Sequence, residues 1–256
     1  MASVDGKLAL VTGASRGYGR AIAERLACDG ALVAVHFAVN DAAAAATIAA
    51  IRAIGGKAFP VKAPLDGSLA SVGALFARLD AELAALDHRT GLDILVNNAA
   101  ISPRGTIEDT PEVVFDEVFA VDAKAPFFIL QAALSRMPDG GRIINISSQT
   151  SLIGFPGVAA YSMAKAALDR LTVIAAKHLA PRNITVNAVL PGIADTDMNA
   201  SWLRGRPEAL ASAAQFSAFK RIADVTDIAD IVGFLASGEA RWITGQLIDG
   251  GGGSAL

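Results

Sequence analysis

The sequence predicts an α/β fold, a doubly wound, seven-stranded parallel sheet with helices on both faces. Two observations carry this: short, near-continuous aliphatic runs recur along the chain, and longer segments with helical spacing separate them. Strands buried on both faces read as unbroken apolar runs, because each crossover lays a helix against the sheet. The runs are 8–11, 32–37, 58–61, 94–96, 142–146, 184–189 and 246–248.

The first run leads into Thr12-Gly13-Ala14-Ser15-Arg16-Gly17-Tyr18-Gly19, and a helix is predicted from about Arg20, with Ile22 and Leu26 on one face. Glycines at a strand-to-helix turn let the backbone approach a pyrophosphate, and the helix start supplies free N–H donors and a positive dipole end. Gly13, Ser15, Gly17, Tyr18 and Gly19 therefore form a candidate dinucleotide cradle. In such folds a carboxylate about 20 residues on holds the ribose 2′-hydroxyl, whereas an arginine suits a 2′-phosphate. The second run ends His36-Phe37-Ala38 with no carboxylate, and Arg16 stands inside the turn. NADP(H) is expected over NAD(H), with Arg16, Ser15 and His36 near the phosphate.

The Ala-rich stretch 42–51 is closed by Arg52 and predicts an ordinary helix, since a membrane span needs about 18–20 apolar residues. After the fourth run comes a helix expected to have Thr110 as cap and Pro111 at its first position, with Pro126 inside it. Proline lacks an N–H, so the carbonyl of Asp122, four residues earlier, loses its helical hydrogen bond and is free to accept from water.

Ser148 follows the fifth run, thirteen positions before Tyr161-Ser-Met-Ala-Lys165. Residues four apart share a helix face, which places Lys165 beneath the Tyr161 phenol. A neighbouring ammonium favours the phenolate, so the Tyr161 pKa is expected to fall below about 10, and Ser148 to hydrogen-bond a substrate oxygen. Beyond the sixth run, the segment 193–220 carries Trp202, Phe216 and Phe219 and is a candidate substrate lid.

With 256 residues at 53% hydrophobic and 18% charged, residues 1–256 are expected to form one unit with a large core. A net charge of −3 gives no basic stripe for nucleic acid or an anionic membrane. Cys28 has no partner for an internal disulfide, and His36, His88 and His178 are scattered, so no metal site is expected. The N-terminus lacks the pattern of a secretory signal, which makes the cytoplasm the expected location.

Thr12, Gly13 to Gly19, Asp66, Asn97-Asn98-Ala99, Ser148, Tyr161, Lys165, Pro191-Gly192 and Thr196 occur in the order of the short-chain dehydrogenase/reductase superfamily, which the chain resembles over essentially its whole length. Within it the chain is most similar to 3-oxoacyl-acyl-carrier-protein reductase-like members, also at Trp242-Ile-Thr-Gly-Gln-Leu-Ile-Asp249. The resemblance implies a Rossmann fold, a homotetramer and an NADP(H)-dependent carbonyl reductase or alcohol dehydrogenase acting on a small molecule. It implies that Asp66 and Asn97 to Ala99 flank adenine and its ribose, that Lys165 holds the nicotinamide ribose, and that Ile193 and Thr196, after Pro191 and Gly192, anchor the carboxamide. The apolar 127–130 and the C-terminal 250–256 are candidate association surfaces.

Two positions depart from the family pattern: Ala100 replaces a usual glycine, where a methyl is expected to crowd the cofactor slightly, and Asp122 replaces the usual asparagine of the catalytic tetrad. A buried carboxylate near Lys165 is expected to shift the pH profile. A non-catalytic NADP(H) sensor or scaffold rests on these two positions alone, and the intact Ser148, Tyr161 and Lys165 oppose it. Thioester ketones, sugars, steroids and small ketones all stay open as substrates.

Overall fold

The computed structural model describes residues 3–254, so the ends of the expected 1–256 unit and of the 250–256 surface lie outside the described residues. In order the chain forms β1 (Leu8–Val11), α1 (Gly17–Cys28), β2 (Leu32–Phe37), α2 (Asp41–Ala53), β3 (Lys57–Lys62), α3 (Leu69–Ala85), β4 (Ile94–Asn97) and α4 (Glu112–Phe119). Then follow α5 (Ala125–Ala133), β5 (Arg142–Ile146), α6 (Ala159–Leu179), β6 (Thr185–Pro191), α7 (Ala200–Leu203), α8 (Pro207–Gln215), α9 (Val225–Ala236) and β7 (Leu247–Gly250).

The strands make one parallel sheet in the order β3-β2-β1-β4-β5-β6-β7. Order reverses between β1 and β4, and the crevice for a ligand opens beyond the strand ends at such a switch point. Runs 8–11, 32–37 and 142–146 coincide with β1, β2 and β5. The others extend at their ends, because partnered backbone carries pairing onto polar or proline residues, as in Phe37 against Lys62 and Pro191 against Gly250, while β6 and β7 each begin one residue later than their runs.

Alternate strand residues feed two cores. Val11, Val33 and Val96 pack with Ile22, Leu26, Ile51 and Val232 under α1, α2 and α9. Leu10, Phe59 and Leu95 pack with Leu75, Leu79, Ile129 and Leu179 under α3, α5 and α6. The 127–130 run divides accordingly: Ile129 and Leu130 are core, while Phe127 is exposed. Among the described residues no helix is long and apolar enough to cross a membrane.

Two local expectations are corrected. α1 starts at Gly17 rather than near Arg20, because glycine obstructs nothing at the start of a helix, and Gly17 enters it with φ at +55°. Pro111 is the cap of α4 rather than its first residue; its ψ of 149° is extended, and the Thr110 hydroxyl donates instead to the Thr106 carbonyl at 2.5 Å. The chain passes from α4 to α5 through a π-helical turn, Ala120–Lys124, and Pro126 sits in the first turn of α5.

Candidate active site

The site gathers where β1, β4, β5 and β6 end. At the end of β1, no side chain caps the N-terminus of α1, which leaves its first-turn N–H groups to an outside acceptor. A Cβ at Gly19 would stand 2.3 Å from the Gly13 carbonyl oxygen, so only glycine lets the helix start press against the turn. The Thr12 hydroxyl takes the N–H groups of Asn98 and Ala99 at 2.9 and 3.0 Å, and the Asn98 amide donates to the carbonyls of Thr12 and Gly13 at 2.8 and 3.2 Å. Asn98 thus braces the glycine turn with its side chain. Such a cradle suits a diphosphate.

Arg16 projects from it, exposed and 3.6 Å from Asp197 of the 193–220 segment. Ser15 gives its carbonyl to the Thr47 hydroxyl at 3.1 Å. His36 departs from expectation: its ring is buried under the turn, fully engaged with Gly13 and Ala63, and it is no phosphate ligand. An imidazole held at both nitrogens satisfies a buried turn and cannot also face solvent. Asp66 is exposed beyond β3, where it accepts the Ser68 N–H at 2.9 Å, and hydrogen bonds from Ser68 lower its pKa to about 2. Ala100 does not have a positive φ, so the glycine expected there is not required by the backbone.

At the end of β5, Ser148 has extended φ and caps a short 3-10 turn, its Oγ accepting from the Thr150 N–H at 3.2 Å and the Thr150 hydroxyl at 3.0 Å. Its own hydroxyl proton is left free by these contacts, and Ser148 pulls the Tyr161 pKa down. Tyr161 and Lys165 lie one turn apart near the start of α6, with the Lys165 ammonium 5.5 Å from the phenol ring centre. Lys165 is almost wholly buried. Its Nζ donates to the Ile146 carbonyl at 3.0 Å and lies 3.5 Å from Oδ2 of Asp122.

Asp122, in the π-helical turn, is completely buried, and its Oδ1 accepts the Ile101 N–H at 2.9 Å. Burial raises its pKa, while Lys165 and the Ile101 N–H pull it back. The expectation for Tyr161 is overturned in sign. Burial raises its pKa; Lys165 opposes the rise, Asp122 adds to it, and Ser148 opposes it. The ammonium is one influence among four, and the carboxylate behind it cancels part of its field.

At the end of β6 the Tyr18 hydroxyl donates to the Gly192 carbonyl at 3.4 Å, and the Ile193 carbonyl accepts the Ala223 N–H at 2.8 Å. The Thr196 side chain approaches Gly17. The 193–220 segment forms α7 and α8. Over the crevice, Trp202 takes the Arg104 guanidinium on its face at 4.9 Å, and Phe216 meets Phe155 at 6.2 Å between ring centres. A separate cavity of about 230 Å³ lies between Ile193, Phe216, Ala223 and Gly251, and neither Ser148 nor Tyr161 lines it. Among the described residues no three His, Cys, Asp or Glu side chains gather as a metal site.

Sequence reasoning missed the backbone partners, the Ile101 N–H and the Ile146 carbonyl, which leave no trace in residue type. It also missed Thr12 as the fastener between β1 and β4. A hydroxyl at the last position before a glycine turn was the signal available.

The family model described as Enoyl-(Acyl carrier protein) reductase matches residues 13–254. The structure superposes on the reductase LugOII, which catalyses keto-reduction at C1 during lugdunomycin biosynthesis, with a TM-score of 0.94, 51% identity and 99% of each chain covered. It superposes on the NADP-bound angucycline C-6 ketoreductase LanV with a TM-score of 0.93 and 49% identity, over 99% of this chain and 97% of that one. The 3-oxoacyl-[acyl-carrier-protein] reductase of Staphylococcus aureus is 38% identical over 249 residues, 96% of this chain and 97% of the other. The chain belongs to the short-chain dehydrogenase/reductase superfamily of oxidoreductases.

Proposed function

We propose that this chain is an NADP(H)-dependent ketoreductase whose substrate is a ketone on a fused polycyclic aromatic skeleton. The convergence of Ser148, Tyr161 and buried Lys165 at the strand ends, beside an uncapped helix N-terminus, carries the reading. The α1 N–H groups hold the diphosphate, Arg16 and Ser15 take the 2′-phosphate, Asp66 and the Asn98–Ala99 strip flank the adenosine, and Pro191 to Thr196 line the nicotinamide end. Lys165 binds the adjoining ribose.

When bound there, the reduced nicotinamide supplies a hydride to the carbonyl carbon. Tyr161 gives its phenol proton to the carbonyl oxygen as the C=O pair moves onto it, and Ser148 donates a hydrogen bond to the same oxygen. Lys165 stabilises the tyrosinate left behind. The 193–220 segment closes over the substrate, with Phe155, Phe216 and Trp202 offering flat apolar faces.

The polycyclic class is supported by the higher identity to two ketoreductases, 51% and 49%, than to the acyl-carrier reductase, 38%. Residues 1–256 work as one catalytic unit within a cytoplasmic homotetramer, where exposed Cys28 remains a thiol. Steady-state assays with NADPH and NADH against a polycyclic quinone ketone, an acetoacetyl thioester, a sugar and a steroid ketone test the reading. Turnover of the polycyclic ketone with NADPH supports it. A thioester turned over far faster would transfer the chain to that substrate class, and tight NADPH binding with no turnover of any ketone would overturn it.

A further inference from the structure

The buried pair formed by Asp122 and Lys165 has a consequence for the direction of catalysis. Lys165 Nζ has two protein oxygens near it, the neutral Ile146 carbonyl at 3.0 Å and the Asp122 carboxylate at 3.5 Å. Asp122 is held from its other side by the Ile101 N–H, and its Oδ2 makes no hydrogen bond that would spread its charge elsewhere. Both side chains are out of water, so each is the other's counter-charge. A Lys165 whose charge is matched by a carboxylate stabilises a nearby phenolate less than an unmatched one would.

We propose that Asp122 is a positioning residue that neutralises Lys165 and keeps Tyr161 as the protonated phenol, setting the site to give a proton to a ketone rather than take one from an alcohol. The inference deepens the ketoreductase reading and rests on it for the identity of the reaction. Among the other groups that bear on Tyr161, the Ser148 hydroxyl pulls its pKa back without carrying a charge. Tyr18, from α1, interacts with Tyr161 as a second phenol. Asp169, one turn beyond Lys165 on α6, is a second buried carboxylate within electrostatic reach of the same ammonium, with Arg170 as its own cationic neighbour. Among the described residues, Lys165 and Asp122 are the charges that act on Tyr161.

The chain has only two tyrosines, so tyrosinate absorbance reads this directly. The cofactor-free protein is titrated alongside Tyr161→Phe, whose curve isolates Tyr18, and Asp122→Asn, which is isosteric and keeps an oxygen for Ile101. The same variants are then assayed for ketone reduction and for oxidation of the product alcohol across pH. Asp122→Asn is expected to lower the Tyr161 midpoint, and the alkaline limb of reduction, by about one pH unit or more, as for loss of a charge a few ångström away. Oxidation near neutral pH then rises about tenfold for each unit moved, the phenolate fraction being what limits it.

Coincident midpoints and profiles, or a shift to higher pH, would overturn the proposal. So would a wild-type Tyr161 midpoint near 7, a result that needs no folded variant. The absorbance titration requires no substrate. Failure of the ketoreductase reading therefore appears as absent turnover with the tyrosinate shift intact, and failure of this inference as the reverse.

Discussion

The Gly13 N–H donates to Nδ1 of His36 at 3.1 Å, so the imidazole at the end of β2 lies under the glycine turn and holds it from below. Nε2 meets the Ala63 carbonyl at 3.0 Å, which requires the proton on Nε2 and a neutral ring. His36 is a strut between β1, β2 and the end of β3, and burial lowers its pKa to about 4.

A pH dependence of stability follows. Between the unfolded value of about 6.5 and the folded value of about 4, the unfolded chain binds a proton that the folded chain does not, so stability rises with pH across that window. The contribution is complete above about 6.5 and lost as pH falls toward 4; it is on the order of 3 kcal/mol. Urea unfolding of the wild type at pH 7 and pH 4.5 is expected to show this slope, and His36→Phe, which cannot titrate, to flatten it while lowering stability at pH 7.

Gly19→Ala is expected to damage the cradle more than its single methyl suggests. The new Cβ would meet the Gly13 carbonyl oxygen at 2.3 Å and the Asn98 amide at 2.5 Å, and both belong to the brace that shapes the turn. Overpacking of this kind is worth about 1–3 kcal/mol, and NADPH affinity should fall about tenfold or more with it. Calorimetric binding and thermal melts of the variant check both effects.

Arg16 is expected to govern coenzyme choice. Loss of a charge-assisted contact to phosphate is worth about 1.5–3 kcal/mol, so Arg16→Ala should lower kcat/KM for NADPH by about ten- to a hundredfold and leave NADH nearly unchanged. Asp197 competes for the same guanidinium at 3.6 Å on the surface. Asp197→Asn should therefore tighten NADPH modestly, by about fivefold at most, as suits an exposed pair. Initial rates with both coenzymes separate these outcomes.

How much of this was legible follows from what the residue types encode. β1, β2 and β5 coincide with their aliphatic runs because every residue in them is apolar or inside a ladder, whereas β3 and β6 extend onto Lys62 and Pro191 through backbone pairing alone. Tyr161 and Lys165 meet because helical periodicity decides it. His36 was misplaced because the end of a strand fixes a position but not which way a ring turns. The rise at Tyr161 was hidden for a related reason: spacing locates Lys165 but says nothing of the desolvation that outweighs it.

The contact between Trp202 and Arg104 should matter only for large substrates. It joins α7 to the loop after β4 across the crevice, and the Trp202 indole N–H is fixed by Asn199 at 3.0 Å. Arg104→Ala is expected to raise KM for a polycyclic ketone by about two- to fivefold, the worth of an exposed cation–π contact, with kcat for a small diketone unaffected. Equal effects on both substrates would remove the lid from the account.

The most direct test of the account is the rate of NADPH oxidation with a polycyclic ketone by the wild type and by Tyr161→Phe, with NADPH affinity measured on both. The account predicts turnover by the wild type, a loss of about a hundredfold to ten-thousandfold in the variant, and unchanged coenzyme binding, since only the proton donor has gone. Turnover surviving in Tyr161→Phe at the wild-type rate would contradict it.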